Sequence, residues 1–136
     1  MKKRSIIAVV LSVMLLFAFC GCGGGLTLES YFNDNPDQKA ELLEAFEGSD
    51  DSGVINMSAD ISGNTLTVIG TYVDTYPEEV FGVMQEYFDE NIDTYEDLIN
   101  QEKEDLADAT GVPKEDITVK VSYVNGDGTE IWSKSY

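Results

Sequence analysis

The chain has 136 residues and carries 26 aspartates and glutamates but only 8 lysines and arginines, with no histidine. Its formal net charge of −18 at pH 7 excludes nucleic-acid binding, because the few cations cannot neutralise a phosphate backbone. The lack of histidine removes the commonest general base and the commonest imidazole metal ligand.

The first 21 residues have the order of a secretory signal. Residues 2–4 are all basic, residues 6–19 are almost wholly apolar, and small residues follow them. The apolar run is about 14 residues long, whereas a helix that spans a membrane needs about 20. We therefore predict a signal peptide over residues 1–21 rather than a transmembrane helix.

The end of this segment resembles the lipobox of bacterial lipoproteins, in which a small residue precedes the cysteine that receives the lipid. Gly21 precedes Cys22, whereas the bulky Phe19 precedes Cys20, so Cys22 is the better acceptor. The resemblance implies a chain attached through lipidated Cys22 to the extracytoplasmic face of the bacterial cell membrane. A plain secreted chain and an uncleaved N-terminal anchor are the alternatives.

The chain that follows is predicted to form one strongly acidic domain. Residues 22–26 would supply the lipid anchor and a glycine-rich tether, and residues 27–136 a single domain. Without residues 1–21, five basic side chains stand against 26 acidic ones, which gives a net charge of −21. Such a charge favours solubility, and it also suits cations or basic partners. Lipidation of Cys22 would leave no cysteine for a disulfide.

Helix signals come first in this domain. Thr27 is a suitable N-cap, and the sequence Asn35-Pro36-Asp37 marks a second helix start. Gly48 ends the pattern. We predict one bent helix or two short helices here, followed by an acidic loop over residues 48–53.

Strand signals follow. Residues 55–61 and 65–72 alternate between apolar and polar side chains, and the turn sequence Ser-Gly-Asn-Thr at 62–65 joins them into a hairpin. Gly70 interrupts the inward-facing residues of the second strand. We expect a bulge at Gly70 or a close approach of the long helix.

A long helix is predicted over residues 77–110, because Pro77 starts the helical pattern and Gly111 and Pro113 stop it. Glu102 falls in the middle of its apolar face. We favour a continuous, bent helix whose last turns project past the sheet, with a break near Asp93 as the alternative.

A second hairpin closes the chain, with strands over residues 117–123 and 129–136 around a turn at 125–128. The predicted fold is α+β in two layers, with element order α-β-β-α-β-β. Two hairpins would form a four-stranded antiparallel sheet, and two helices would pack on one of its faces.

The lipobox and three later stretches of the chain together resemble a family of small lipoproteins, mainly from Gram-positive gut bacteria, classed as domain of unknown function 4854. The stretches are Thr27-Leu28-Glu29-Ser30-Tyr31-Phe32, Gly63-Asn64-Thr65-Leu66, and Val121-Ser122-Tyr123-Val124-Asn125-Gly126-Asp127-Gly128. The resemblance covers nearly the whole chain after the signal. It implies a location and a layout, but no activity, ligand or catalytic residue.

Calcium is the strongest candidate among the metals, because it prefers clustered oxygen ligands. The segment 125–128 superficially resembles an EF-hand loop, but Tyr123 and Lys134 stand where its first and last acids should be. A hairpin turn is the better interpretation of that segment. Glu47, Asp50 and Asp51 are weak candidates for a cation site elsewhere, and no cofactor is predicted apart from weak Ca²⁺ binding.

Aromatic residues are numerous, and they favour a core over a ligand groove because they occur at helical and strand spacings. They are Tyr31, Phe32, Tyr72, Tyr76, Phe81, Tyr87, Phe88, Tyr95 and Trp132. If Ile131 faces the helices, alternation places Trp132 on the open face of the sheet, beside Lys120, Lys134 and Tyr136. We expect these four residues to be the contact surface for a partner.

The sequence thus predicts a non-enzymatic binding or interaction domain at the cell surface, attached to the membrane and with a cell-surface protein as its partner. A calcium- or cation-binding module is the alternative. A small carbohydrate-active enzyme, which would use a pair of carboxylates, is less favoured.

Overall fold

The computed structural model of the chain describes residues 26–136, in which helices lie on one face of a mixed β-sheet. The α-helices are α1 (Leu28–Asp34), α2 (Pro36–Phe46), α3 (Phe81–Ile92) and α4 (Glu96–Thr110). The strands are β1 (Gly48–Ser49), β2 (Ile55–Ser62), β3 (Thr65–Tyr72), β4 (Thr118–Val124) and β5 (Glu130–Ser135). Short 3₁₀ turns lie at Glu78–Val80, Asp93–Tyr95 and Lys114–Asp116.

The first helical stretch forms two short helices, one of the two predicted alternatives. A capping box starts α1: Thr27 Oγ1 accepts from the Ser30 N–H, and Ser30 Oγ accepts from the Thr27 N–H. Asn35 separates the helices, and Pro36 is the first residue of α2, where its missing N–H is not needed.

The start of α1 is fastened to the turn between β2 and β3. The Leu28 N–H donates to Asn64 Oδ1 at 3.0 Å, and the Glu29 N–H donates to the Gly63 carbonyl at 2.9 Å. In return, the Gly63 N–H donates to Glu29 Oε2 at 2.7 Å. These bonds fix the entry of the chain at this end of the sheet.

The sheet has five strands in the order β1-β2-β3-β4-β5, and β3 pairs with β4 in parallel. The prediction of a four-stranded antiparallel sheet with two helices is therefore wrong. Thr118 at the start of β4 lies beside Thr65 at the start of β3. The helical connection returns the chain to the end of the sheet where β3 began, so the next strand runs parallel to it.

The fifth strand is β1, which lies in the stretch predicted as an acidic loop. Gly48 and Ser49 pair with Met57 and Asn56 of β2. Asp50 stabilises the turn that follows, because its carboxylate accepts from the Val54 and Ile55 N–H groups and from the Ser52 hydroxyl. Two residues are too few to show strand periodicity in the sequence.

The helices α3 and α4, with the 3₁₀ turn between them, cover residues 81–110, which we call the helical arm. The turn at Asp93–Tyr95 interrupts the α-helix, so the break near Asp93 is found rather than the favoured continuous helix. Gly111, at φ 78°, ends the arm. The last turns do not project past the sheet as predicted: Leu106, Ala109 and Thr110 are buried against it.

One face of the sheet, the inner face, is covered by the helices and carries most of its apolar side chains. On β3 the residues of this face are Leu66, Val68, Gly70 and Tyr72. The residues that pair with them on β2 and β4 lie on the same face. The opposite, outer face is rich in threonine and serine, and no helix of residues 26–136 packs on it.

The buried residues form two clusters on the inner face. The first cluster joins α1, α2 and the end of α4 to the sheet, and it contains Leu28, Tyr31, Phe32, Leu42, Phe46, Ile61, Leu66, Leu106, Ala109, Val112 and Ile117. The second cluster joins α3 to β5 and contains Phe88, Ile92, Ile131 and Trp132. Val68 packs on the first cluster and its neighbour Val121 on the second, so the boundary between the clusters crosses the sheet there.

Candidate functional site

A group of tyrosines lies beside the second cluster. They come from the helical arm, from the C-terminal ends of β3 and β4 and from the segment that follows β3. We call the group formed by Tyr72, Tyr76, Tyr87, Tyr95 and Tyr123 the tyrosine surface. The rings of Tyr72 and Tyr76 meet edge to face at 5.3 Å between centroids, and Tyr123 stacks on Phe88 at 4.1 Å. These ring contacts hold Tyr72, Tyr76 and Tyr123 in defined orientations.

Two phenol groups of the tyrosine surface, those of Tyr72 and Tyr123, have a raised pKa. Burial, followed by the nearby Tyr123, Tyr76 and Tyr87, raises the pKa of Tyr72 to about 12. Burial also raises the pKa of Tyr123, with smaller contributions from Tyr95 and Tyr87. The phenols of Tyr72 and Tyr123 therefore stay neutral at physiological pH and serve as hydrogen-bonding and aromatic groups.

The close packing of this surface depends on Gly70. A Cβ atom on Gly70 would lie 2.8 Å from Tyr123 Cε1 and 3.1 Å from Ile55 Cγ2. Gly70 therefore lets the Tyr123 ring lie flat over β3, against the inner face of the sheet. The expected close approach exists, but the approaching group is a ring of the neighbouring strand rather than the long helix.

Tyr76, which lies outside any helix or strand, is held by the buried side chain of Asn125. The Tyr76 N–H donates to Asn125 Oδ1 at 2.8 Å, and Asn125 Nδ2 donates to the Tyr76 carbonyl at 2.9 Å. This pair of bonds replaces the backbone pairing that the segment lacks. Asn125 thus contributes to structure here rather than to an EF-hand loop.

Part of the tyrosine surface and its surroundings is open to solvent. Tyr87 is 62% exposed and Tyr95 42%, while Val83, one turn before Tyr87 on α3, is 71% exposed. Exposed Glu86 and Glu90 follow at the next helical spacings, so they share this side of α3 with Val83 and Tyr87. An exposed aromatic and aliphatic stripe with acidic neighbours is a candidate binding surface.

Glu102 is a buried acid on α4. In the sequence it lies between Ile92 of the second cluster and Leu106 of the first, and it is only 9% exposed. Its Oε1 has no hydrogen-bond partner within residues 26–136. Burial, with a smaller effect of Asp105, raises the pKa of Glu102 to about 8, so the side chain is mostly protonated at neutral pH.

The four residues predicted as a partner surface do not lie together on the open face. Trp132 is buried on the inner face, where its ring lies 5.5 Å from that of Phe88 and its Nε1–H donates to Asp89 Oδ1. A register shift between Tyr123 and Val124 changes the alternation along β5, so Ile131 and Trp132 both contribute to the second cluster. The predicted placement of Trp132 on the open face is wrong for this reason.

The other three predicted residues occupy both faces. Lys134 and Tyr136 share the inner face with Trp132: the Lys134 Nζ lies 3.8 Å from Asp93 Oδ1 and 5.1 Å from the centre of the Tyr136 ring. Lys120 lies on the outer face and pairs with Glu130 at 3.5 Å. Whether any of them contacts a partner stays a prediction.

The weak cation candidates do not form an obvious site. The side-chain oxygens of Asp50 accept hydrogen bonds within its own turn, led by the bond from Ser52, and these bonds lower the pKa of the carboxyl. Within residues 26–136, no group of three or more histidine, cysteine, aspartate or glutamate side chains is placed to hold a metal ion. Glu47 and Asp51 are both exposed.

The family described as Domain of unknown function (DUF4854) matches residues 28–136, which is most of the chain. The chain belongs to this family. This confirms the family that the sequence resembles, whereas the description of its members as lipoproteins of Gram-positive bacteria stays a prediction. The family description adds no activity or ligand. No curated protein and no solved structure matches the chain.

The predicted signal peptide, the tether residues and Cys22 lie outside the described residues, apart from Leu26. In the described part of the chain, no helix is long and apolar enough to cross a membrane. The prediction of a lipid anchor therefore rests on the sequence alone.

The sequence signals only part of the role of Tyr123 and of Glu102. The alternation of residues 117–123 predicts a strand at Tyr123 but not its place in the aromatic group, since its neighbours in space come from α3 and from β3. An acid on an apolar helix face predicts that the helix leaves the sheet at Glu102, whereas Glu102 is buried.

Proposed function

We propose that the protein is an extracytoplasmic, lipid-anchored domain that binds another molecule and catalyses no reaction. The observation that carries the binding function is the exposed part of the tyrosine surface, with Tyr87 and Val83 open to solvent beside the second cluster. Clustered exposed aromatic and aliphatic side chains are enriched where proteins bind partners.

The rest of the chain supports a binding function over an enzymatic one. The sequence contains no histidine, and its only arginine is Arg4, within the predicted signal. Both cysteines, Cys20 and Cys22, lie in the lipobox region. The usual general base, thiol nucleophile and bidentate oxyanion clamp are therefore missing from the domain.

No observation within residues 26–136 favours the cation-binding alternative over the binding of a partner. The anchoring proposal rests on the signal pattern and on Gly21 before Cys22. A diacylated cysteine would supply the two chains that stable membrane attachment needs.

The anchor is tested by mass spectrometry of the N-terminal peptide from the full chain produced in a bacterial host that processes lipoproteins. We expect lipid on Cys22, and we expect the Cys22→Ala variant to appear in the medium or as an unprocessed precursor. A mature N-terminus without lipid would contradict the anchor.

The binding function is tested with a photo-cross-linking amino acid at position 83 of the full chain on intact cells of the source bacterium. The matched control carries the same amino acid at position 67, on the outer face of the sheet. We expect a discrete adduct from position 83 that position 67 does not give. Identical adducts from both positions, or none from either, would contradict a binding role for the tyrosine surface.

A further inference from the structure

The exposed residues Val83, Tyr87 and Tyr95 lie in a long segment of the sequence that contains no basic residue. Between Lys39 and Lys103 the sequence contains 16 aspartates and glutamates and no lysine or arginine. Four of the five tyrosines of the tyrosine surface lie in that segment, as do Val83, Glu86 and Glu90. A partner that binds the exposed side of α3 therefore meets the Tyr87 ring with Glu86 and Glu90 beside it on the helix.

Elsewhere in the molecule, an aromatic ring and a carboxylate together bind the ammonium group of a lysine. Lys134 lies between the Tyr136 ring and the Asp93 carboxylate, at 5.1 Å from the ring centre and 3.8 Å from the nearest oxygen. The ring attracts the ammonium through its π-electrons, and the carboxylate adds a Coulomb attraction. The stem of the lysine can pack on the ring at the same time.

An aromatic ring and carboxylates also lie side by side on α3, but no lysine of the described residues pairs with them. Glu86 is adjacent in sequence to Tyr87, and Glu90 lies one turn further along the helix. Neither carboxylate forms an ion pair within the described part of the chain. Val83 extends the stripe with an apolar side chain that would accept an aliphatic group of a partner.

We propose that Val83, Glu86, Tyr87 and Glu90, together with the tyrosine surface, bind a segment of another polypeptide that carries lysine or arginine beside apolar residues. This inference rests on the proposed binding function and names the chemistry of the partner. The apolar stripe supplies contact area, and the carboxylates and rings select for basic side chains.

A second copy of the chain is disfavoured as the occupant. The domain carries a net charge of −21 after the predicted signal, and the exposed stripe of one copy would meet the same acidic stripe of another. Like charges placed opposite one another oppose such an interface.

The test uses three synthetic peptides with the same apolar residues, whose remaining positions are lysine, glutamine or glutamate. Binding to the full-length protein is measured by titration at low and at high salt. We expect the lysine peptide to bind at least about tenfold more tightly than the glutamine peptide at low salt, and the glutamate peptide to bind most weakly. Equal affinity for the lysine and glutamine peptides would overturn the inference.

Variants locate the binding. We expect Tyr87→Ser to weaken binding of the lysine peptide about tenfold, and Glu86→Gln with Glu90→Gln to weaken it several-fold and reduce its salt dependence. The matched control, Asp60→Asn with Glu115→Gln, removes two exposed charges elsewhere and should leave the affinity nearly unchanged. An equal loss in the control would mean diffuse attraction to an acidic protein and would overturn the proposed site.

Failure of this inference and failure of the proposed function give different results. If position 83 cross-links a discrete partner on cells but the lysine peptide binds no better than the glutamine peptide, the binding function stands and the basic partner is wrong. If neither experiment gives a signal, the binding function fails as well. The free protein could instead sediment as a dimer that the Tyr87→Ser variant does not form. That result would identify a second copy as the occupant and overturn the inference.

Discussion

The two clusters on the inner face differ in how completely they are closed. Phe32 and Leu66 of the first cluster are almost inaccessible, and the other residues of the cluster come from α1, α2, β2, α4 and the connection to β4. The second cluster is small and aromatic, and exposed Tyr87 and Val83 lie on the helix that covers it. The comparison indicates that the first cluster stabilises the fold, while the second supports a surface that is available to other molecules.

The largest expected effect is the loss of a ring from the first cluster. Phe32→Ala should lower the free energy of unfolding by about 4 kcal/mol, because it removes buried apolar area and leaves a cavity between α1, α2 and the sheet. Urea denaturation followed by circular dichroism measures the change. Tyr87→Ala is the matched aromatic control and should change the stability far less. Equal losses would contradict the distinction between the two clusters.

The next effect concerns the buried acid Glu102 on α4. Folding raises the pKa of Glu102 from its usual 4.5 to about 8, so the folded state holds a proton that the unfolded state releases. The stabilising contribution of this proton is fully present below pH 4.5 and is lost as the pH rises through about 8. Between about pH 5 and about pH 8 the loss is on the order of 3 kcal/mol.

Glu102→Gln removes this titration, so its free energy of unfolding should fall less with rising pH than that of the unaltered protein. Urea denaturation at several pH values gives both slopes. Asp97→Asn, at an exposed position of α4, controls for the general repulsion among carboxylates. A Glu102→Gln slope equal to that of the unaltered protein would show that Glu102 ionises normally.

A smaller effect is expected beside the second cluster, at Gly70. Gly70→Ala should lower the free energy of unfolding by about 2 kcal/mol, because the new methyl group would overlap the Tyr123 ring, which is held by its stacking on Phe88. Gly82→Ala is the control, since its Cβ would enter open space on α3 and should stabilise the helix slightly. If Gly70→Ala leaves the stability unchanged, the Tyr123 ring is free to move.

The smallest effect on stability is expected from the exposed stripe. Val83→Ser with Tyr87→Ser should change the free energy of unfolding by less than about 1 kcal/mol, because both side chains are largely exposed. Thermal denaturation and circular dichroism measure this change. A large destabilisation would mean that these residues belong to the core and would weaken the argument for a binding surface.

The sequence was informative where local chemistry determines the structure. The start of α1 at Thr27, the end of α4 at Gly111 and the turn at residues 62–65 follow from capping and turn residues that act over a few positions. The parallel pairing of β3 and β4 depends instead on where the helical arm returns the chain, which no local pattern encodes.

The candidate site was harder to predict, because contacts between distant residues create it. Trp132 was assigned to the wrong face because one register shift on β5 breaks the alternation of its side chains. Tyr123 joins the aromatic group only because Gly70, on another strand, lacks a side chain. In both cases the deciding contact lies between strands rather than along the chain.

The bonds that fasten α1 to the turn at Gly63 and Asn64 place the first described residues at one end of the sheet. The chain enters at the end of the sheet where β3 begins, whereas Tyr72 lies at the other end of β3, about 23 Å away for an eight-residue strand. With the proposed anchor at Cys22, the short glycine-rich tether would keep the entry end of the sheet close to the membrane. The far end of β3, with Tyr72, could then lie farther from the lipid, within reach of molecules that approach the cell.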